Sequence, residues 1–132
     1  MNIIVTGGTG LVGKAIQEIK NNYPFLTFYF LSSKDADLTN YGQTKDLFIS
    51  LNPQMVIHLA ACVGGLFKNM NYKVDMYEKN ILINLNVLKI CHELKVSKVV
   101  SCLSTCIFPD DTSYPINENM LHDGPPHDSN DA

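Results

Sequence analysis

Gly7, Gly10 and Gly13 stand three apart directly after the apolar run Ile3-Ile4-Val5, and no other stretch narrows the possible folds as far. A short unbroken apolar run fills a parallel strand buried on both faces. Glycine at the first position allows a tight turn, at the second it lets backbone approach a pyrophosphate, and at the third it lets a new helix pack close to the strand. Leu11, Ala15 and Ile19 follow at helical spacing, so strand, turn and helix come in the order a dinucleotide site requires. Amides at the start of that helix would face the anion. A glycine-rich turn without a ligand is the plainer alternative.

The rest of the chain repeats the unit. Asn21 to Pro24 breaks the first helix, and Thr27 to Leu31 reads as a second strand rich in aromatic and β-favouring residues. Tyr41 to Leu51 reads as a helix closed by Asn52-Pro53, and Met55 to Ala61 as a third strand running into a small-residue turn. A loop from Gly64 to Lys73 leads to a long helix from about Asp75 to Leu94, with Ile81, Leu85, Leu88, Cys91 and Leu94 on its apolar side. Lys98 to Leu103 is strand four. Past Phe108, Pro109, Pro115, Pro125 and Pro126 lie among polar residues and predict irregular structure. The expected fold is therefore α/β, a Rossmann-type doubly wound parallel sheet truncated after about four strands in the order 3-2-1-4. Residues 1–108 would form a nucleotide-binding half-domain and 109–132 an irregular tail.

Charge and cysteine usage exclude several function classes. With a net charge of −3, a pI near 5.7 and scattered Lys and Arg, the chain offers no footprint for nucleic acid. No run reaches the roughly 18 apolar residues of a membrane span and no secretory signal is visible, so a cytoplasmic location is expected. Cys62, Cys91, Cys102 and Cys106 form no CxxC pair and no metal-like spacing with the histidines, which leaves them expected as small buried hydrophobes and leaves no metal site.

In a parallel sheet the ligand lies outside the carboxyl ends of the strands. Strand two ends in Ser32-Ser33-Lys34, where an NAD site would often place a carboxylate. A lysine and two hydroxyls suit an adenosine 2′-phosphate better, which favours NADP over NAD, unless Lys34 is simply solvated. Asp37 could accept from the adenine amino group while Leu38 packs on its face. Leu59 and Ala60, at the end of strand three, leave room for the phosphates and nicotinamide ribose, and His58 just before them reads as a structural histidine. Ser104-Thr105-Cys106 ends strand four, where a hydroxyl could bond a carbonyl oxygen gaining charge and a thiol could act as acid or base beside it. Position alone leaves both roles open.

Five stretches carry a resemblance: TGGTGLVGKAI from Thr6, SSKDADLT from Ser32, HLAACVGGLFKN from His58, KVVSCLSTCIFPD from Lys98 and YPINENMLHDGPPHDSN from Tyr114. Together they resemble the GDP-L-fucose synthase family of extended short-chain dehydrogenase/reductases. The resemblance implies NADPH-dependent epimerisation of GDP-4-keto-6-deoxy-D-mannose at C3 and C5, then reduction at C4. It further implies that Gly7, Gly8, Thr9, Gly10, Leu11, Val12 and Gly13 hold the cofactor phosphates. Cys102, Leu103 and Thr105 would line the nicotinamide side, Ser104 would polarise the keto oxygen, and Cys106 would be the epimerisation acid/base. A GDP-sugar would be the partner, with a homodimer in the intact family member.

The family's next segment carries Tyr-x-x-x-Lys, whereas this sequence reads Asp131-Ala132 and stops. Without that pair the expectation is an inactive N-terminal portion, with strand four left as a sheet edge prone to self-association. Another extended sugar-nucleotide epimerase or dehydratase, or a non-catalytic NADP-binding fragment, are the alternative readings.

Overall fold

The computed structural model describes residues 1–128, so the last residues of the expected tail, 129–132, lie outside the described part. Four parallel strands form the sheet: β1 (Asn2–Thr6), β2 (Thr27–Phe30), β3 (Met55–His58) and β4 (Lys98–Ser101). Helices α1 (Leu11–Ile19), α2 (Tyr41–Leu51), α3 (Leu66–Asn71) and α4 (Lys73–Glu93) connect them. The α/β doubly wound class expected from the sequence is present. The short α3 falls where only loop was expected, and short 3-10 turns at Thr105–Ile107 and Glu118–His122 punctuate the region past β4.

The strand order is β2-β1-β3-β4, which corrects the expected 3-2-1-4. β1 pairs with β3, Val5 opposite Ile57 and Thr6 opposite His58, and β4 pairs with β3. Burial explains the difference. In β3, Val56 and His58 are buried, whereas most of β4 is exposed, so β3 takes the inner place and β4 the edge. Right-handed crossovers then send α1 to one face of the sheet and α2 and α4 to the other, because the chain reverses direction after β2.

Ile4 and Val56 meet Phe48 of α2 and Val87, Ile90 and Cys91 of α4 in the core, while Ile3 and Val5 are buried on the alternate face. α2 is bounded as its sequence predicts. Its first turn is capped by Asn40 Oδ1, which accepts from the Gln43 amide at 3.0 Å, and its last residue meets Asn52 in the left-handed region at φ 44°.

Two helix faces differ from expectation. In α4 the buried residues are Asn86, Val87, Ile90 and Cys91, whereas Ile81, Leu85 and Leu88 are exposed. The helix is apolar on more than one side, so periodicity alone does not fix which side meets the sheet. Asn86 helps to fix it: its Nδ2 donates to the Leu38 and Thr39 carbonyls at 2.9 Å each. In α1, Leu11, Ala15 and Ile19 are exposed and only Gly13 is buried. Its Gly13 packs against the backbone of Gly8 in the turn after β1.

The chain forms two compact units. One comprises Met1–Val63 with Val74–Cys102, where the expected half-domain ran from 1 to 108; the other comprises Gly64–Lys73 with Leu103 onward.

Candidate functional site

β1 is the point at which the sheet's winding reverses, with β2 on one side, β3 on the other, and the following helices leaving toward opposite faces. Such a reversal opens a crevice at the carboxyl ends of the strands. A cavity of about 800 Å³ lies there, within the size range of small-molecule and cofactor sites. It is built from the first unit alone.

The glycine turn forms its floor. Gly7 has φ +65°, and a Cβ there would lie 2.9 Å from Leu59 and Ala60 backbone atoms. A Cβ on Gly13 would come within 2.6 Å of the Gly8 carbonyl carbon, and one on Gly8 within 2.7 Å of Phe30 Cα. Gly10 differs: a Cβ would meet only the Gly7 oxygen at 3.2 Å, and Gly10 lines the cavity. Gln17 steadies the turn by donating from Nε2 to the Gly8 carbonyl at 2.7 Å.

Helix α1 opens onto this floor. Gly10 is its N-cap, no side chain caps it, and its first turn holds no acidic residue. The leading amides of a helix have no partner within it, so this end presents donors and the positive end of the helix dipole to the cavity. A diphosphate suits that donor set, and the empty space beside Gly10 is where it would approach.

The cavity lining includes Gly7, Thr9, Gly10, Leu11, Val12 and Gly13 from the turn and α1, Asp37 and Leu38 from beyond β2, Leu59 and Ala60 from just past β3, and Cys102 from just past β4. Of the expected cofactor residues in this unit, Gly8 lies buried behind the floor and Lys34 is exposed outside the lining. Leu31, Ala36, Cys62, Val63 and Ile83 also line the cavity and carried no signal of their own in the sequence. Ile83 belongs to α4, off the apolar stripe expected for that helix.

The polar groups beyond β2 are partly engaged with one another. Asp35 Oδ2 accepts from the Ser32 amide at 2.7 Å and the Ser32 hydroxyl at 2.8 Å, and these bonds hold its carboxyl below the usual value. Ser32 Oγ in turn accepts from the Lys34 amide at 3.2 Å, while its proton is committed to Asp35 Oδ2. Asp37 Oδ1 accepts from the hydroxyl and amide of Thr39 at 2.7 and 2.9 Å, which lowers its pKa, with Lys79 adding a smaller effect.

At the ends of β1 and β3, Thr6 Oγ1 and His58 Nδ1 are 2.7 Å apart, and His58 Nε2 lies 2.9 Å from Asn84 Oδ1. Burial pushes the His58 pKa down, and the Asn84 bond partly opposes this.

Leu103, Ser104, Thr105 and Cys106 belong to the second unit. Ser104 caps the turn Thr105–Ile107, its Oγ accepting from the Cys106 amide at 3.2 Å, and all four residues are exposed. The expectation of buried thiols is corrected here: Cys91 alone is buried, its pKa pushed up to about 11 by burial, while Cys62 is half-buried and Cys102 and Cys106 are exposed. Cys62 and Cys102, past the ends of β3 and β4, line the cavity instead of the core.

The model of the NAD dependent epimerase/dehydratase family matches residues 3–131. A probable GDP-L-fucose synthase of Drosophila melanogaster is 60% identical over 97% of this chain and 40% of its own length. A GDP-L-fucose synthase of Dictyostelium discoideum is 53% identical over 98% of this chain and 41% of its own. The crystal structure of a GDP-L-fucose synthetase from Naegleria fowleri bound to NADP superposes with a TM-score of 0.86 at 52% identity, covering 98% of this chain and 39% of that one. The chain thus spans about 40% of the length of the curated relatives it matches.

Proposed function

Because the chain belongs to the NAD dependent epimerase/dehydratase family, we propose that it is the nucleotide-binding portion of a GDP-L-fucose synthase, with NADPH as cofactor and GDP-4-keto-6-deoxy-D-mannose as substrate. One observation carries the reading: an uncapped helix end and a glycine floor meet in a cavity at the point where the sheet reverses.

The α1 amides from Leu11 to Gly13 hold the diphosphate. Asp37 Oδ2 accepts from the adenine amino group, Leu38 packs on the ring, and Lys34 supplies positive charge to the 2′-phosphate. Leu59, Ala60 and Cys102 border the ribose and nicotinamide. Bound NADPH supplies the hydride that reduces C4. Ser104 Oγ spends an acceptor site on the Cys106 amide and keeps its proton, which it donates in a hydrogen bond to the C4 keto oxygen as charge builds there. Cys106 exchanges a proton with the carbon beside that carbonyl on the face it occupies, and a second acid/base on the opposite face would complete the inversion. Homodimer formation and a cytoplasmic location belong to the same proposal; among the described residues no helix is long and apolar enough to cross a membrane.

Titration of NADPH into the protein tests the reading. Saturable binding that Gly10→Asp weakens by at least about tenfold is expected, since a carboxylate beside the diphosphate adds repulsion to a steric block. Absence of binding at millimolar ligand, or equal binding by Gly10→Asp, overturns it. Turnover of the keto sugar above a Ser104→Ala control extends it to catalysis.

A further inference from the structure

Among the described residues of α4, Asn86 alone is both polar and buried, at 6% exposure. Its buried neighbours Val87, Ile90 and Cys91 are apolar, and an amide placed among such residues costs free energy unless it is bonded. Asn86 is fully used as a donor. Its Nδ2 has two hydrogens and two acceptors, the Leu38 and Thr39 carbonyls, each at 2.9 Å. Both carbonyls lie in the segment after β2, far from α4 along the chain. An apolar side chain would fill the same core position; what the amide adds is a fixed place for two consecutive peptides.

Those peptides carry the adenine side of the cavity. Asp37 and Leu38 line it, as does Ile83, three residues before Asn86 and on the same face of α4. Thr39 in turn grips Asp37, whose Oδ1 accepts from the Thr39 hydroxyl at 2.7 Å and from its amide at 2.9 Å. The other side-chain ties on the segment are weaker. Thr44 Oγ1 has one proton and lies 2.8 Å from the Asn40 carbonyl, so its 3.4 Å approach to the Asp37 carbonyl adds little. Gln43 Oε1 accepts from the Asp37 amide at 3.2 Å in an exposed position, where water competes for the same donor. We propose that Asn86 is a positioning residue for base selection: by fixing the Leu38 and Thr39 peptides it aims the Asp37 carboxylate at the amino group of adenine, so that the protein prefers adenine to a purine without that group. This deepens the nucleotide-binding reading and rests on it. Asn86 is not part of the cavity lining and acts through the segment it holds.

The test uses Asn86→Leu, which keeps nearly the same volume and removes both donors. NADPH and reduced nicotinamide hypoxanthine dinucleotide phosphate, which has a ring carbonyl where adenine has its amino group, are titrated into the parent and the variant. The parent is expected to hold NADPH at least about fivefold tighter than the hypoxanthine analogue, and Asn86→Leu to bring the two within about twofold, chiefly by weakening NADPH. A residue that only stabilised the fold would weaken both nucleotides alike, so equal weakening, or an unchanged ratio, overturns the proposal. A parent that binds both nucleotides equally also overturns it and leaves the nucleotide-binding reading standing. Binding of neither by the parent removes that reading and the proposal with it. Should Asn86→Leu not fold, Asn86→Ser, too short to reach both carbonyls, is titrated in its place and judged by the same ratio.

Discussion

Gly10 and Gly13 belong to one motif and answer to different constraints. Gly13 is required by the protein itself, because any side chain there meets the Gly8 backbone, whereas Gly10 borders open cavity. Gly13→Ala is therefore expected to destabilise the fold by about 1–3 kcal/mol in urea unfolding. Gly10→Ala is expected to cost under about 1 kcal/mol, since its φ of −74° suits alanine, while weakening NADPH measurably in the same preparations. A second residue-level prediction concerns acid. His58 is held neutral with a lowered pKa, so below its ordinary value of 6.5 the unfolded chain binds a proton that the fold resists. Stability is full above that value and falls as pH drops through and below it. Urea midpoints measured from about pH 7 to 5 should decline in the parent and stay flatter in His58→Gln. Asp35 and Asp37, with lowered pKa values, act separately and only near and below 3.8. At this scale the sequence pointed to residues that follow strands: Leu59, Ala60 and Cys102, with Asp37 further along the loop after β2, line the cavity. The engagement of Ser32 with Asp35 carried no sequence signal, because it depends on how three loop residues turn.

Among the elements, α2 was legible because its signals are local: an Asn cap, an apolar spacing and an Asn-Pro stop. α4 was legible in extent and misread in orientation. Its sequence from Ile81 to Cys91 offers apolar residues on several sides, and only the sheet and the Asn86 bonds to Leu38 and Thr39 select one. The same limit applies to strand order, since each strand's pairing depends on partners far along the chain. The orientation makes a sharp prediction. Ile90→Ala should cost about 2–5 kcal/mol, as for other buried large-to-small changes, whereas Leu85→Ala, at a residue 56% exposed, should stay within about 0.5 kcal/mol. Reversal of that ranking in urea unfolding would show the helix to be turned the other way. A tie from Lys45 and Tyr41 of α2 to Glu93 of α4, at 2.9 and 2.6 Å, adds little energy at an exposed position but agrees with the same orientation.

For the molecule as a whole, the described sheet has β4 at one edge, with Val100 39% exposed, and the apolar side chains of Ile81, Leu85 and Leu88 exposed on α4. Unpaired strand edges and apolar faces invite association. The isolated chain is expected to self-associate with rising concentration in sedimentation velocity runs, and Val100→Lys to reduce this. A monodisperse monomer with a sharp, high melting transition would contradict it.

The bare end of α1 also has a consequence for how the molecule responds to what it binds. A helix terminus completed by a side chain is indifferent to ligand, but this one has no side-chain cap, so under the proposed function occupancy and local order rise together. Deuterium should enter the amides of Leu11, Val12 and Gly13 readily in the free protein and slowly once a nucleotide is seated, while the β1 interior stays protected throughout. The opening turn of α1 is thus a built-in reporter, able to rank candidate nucleotides without any chemical step being observed.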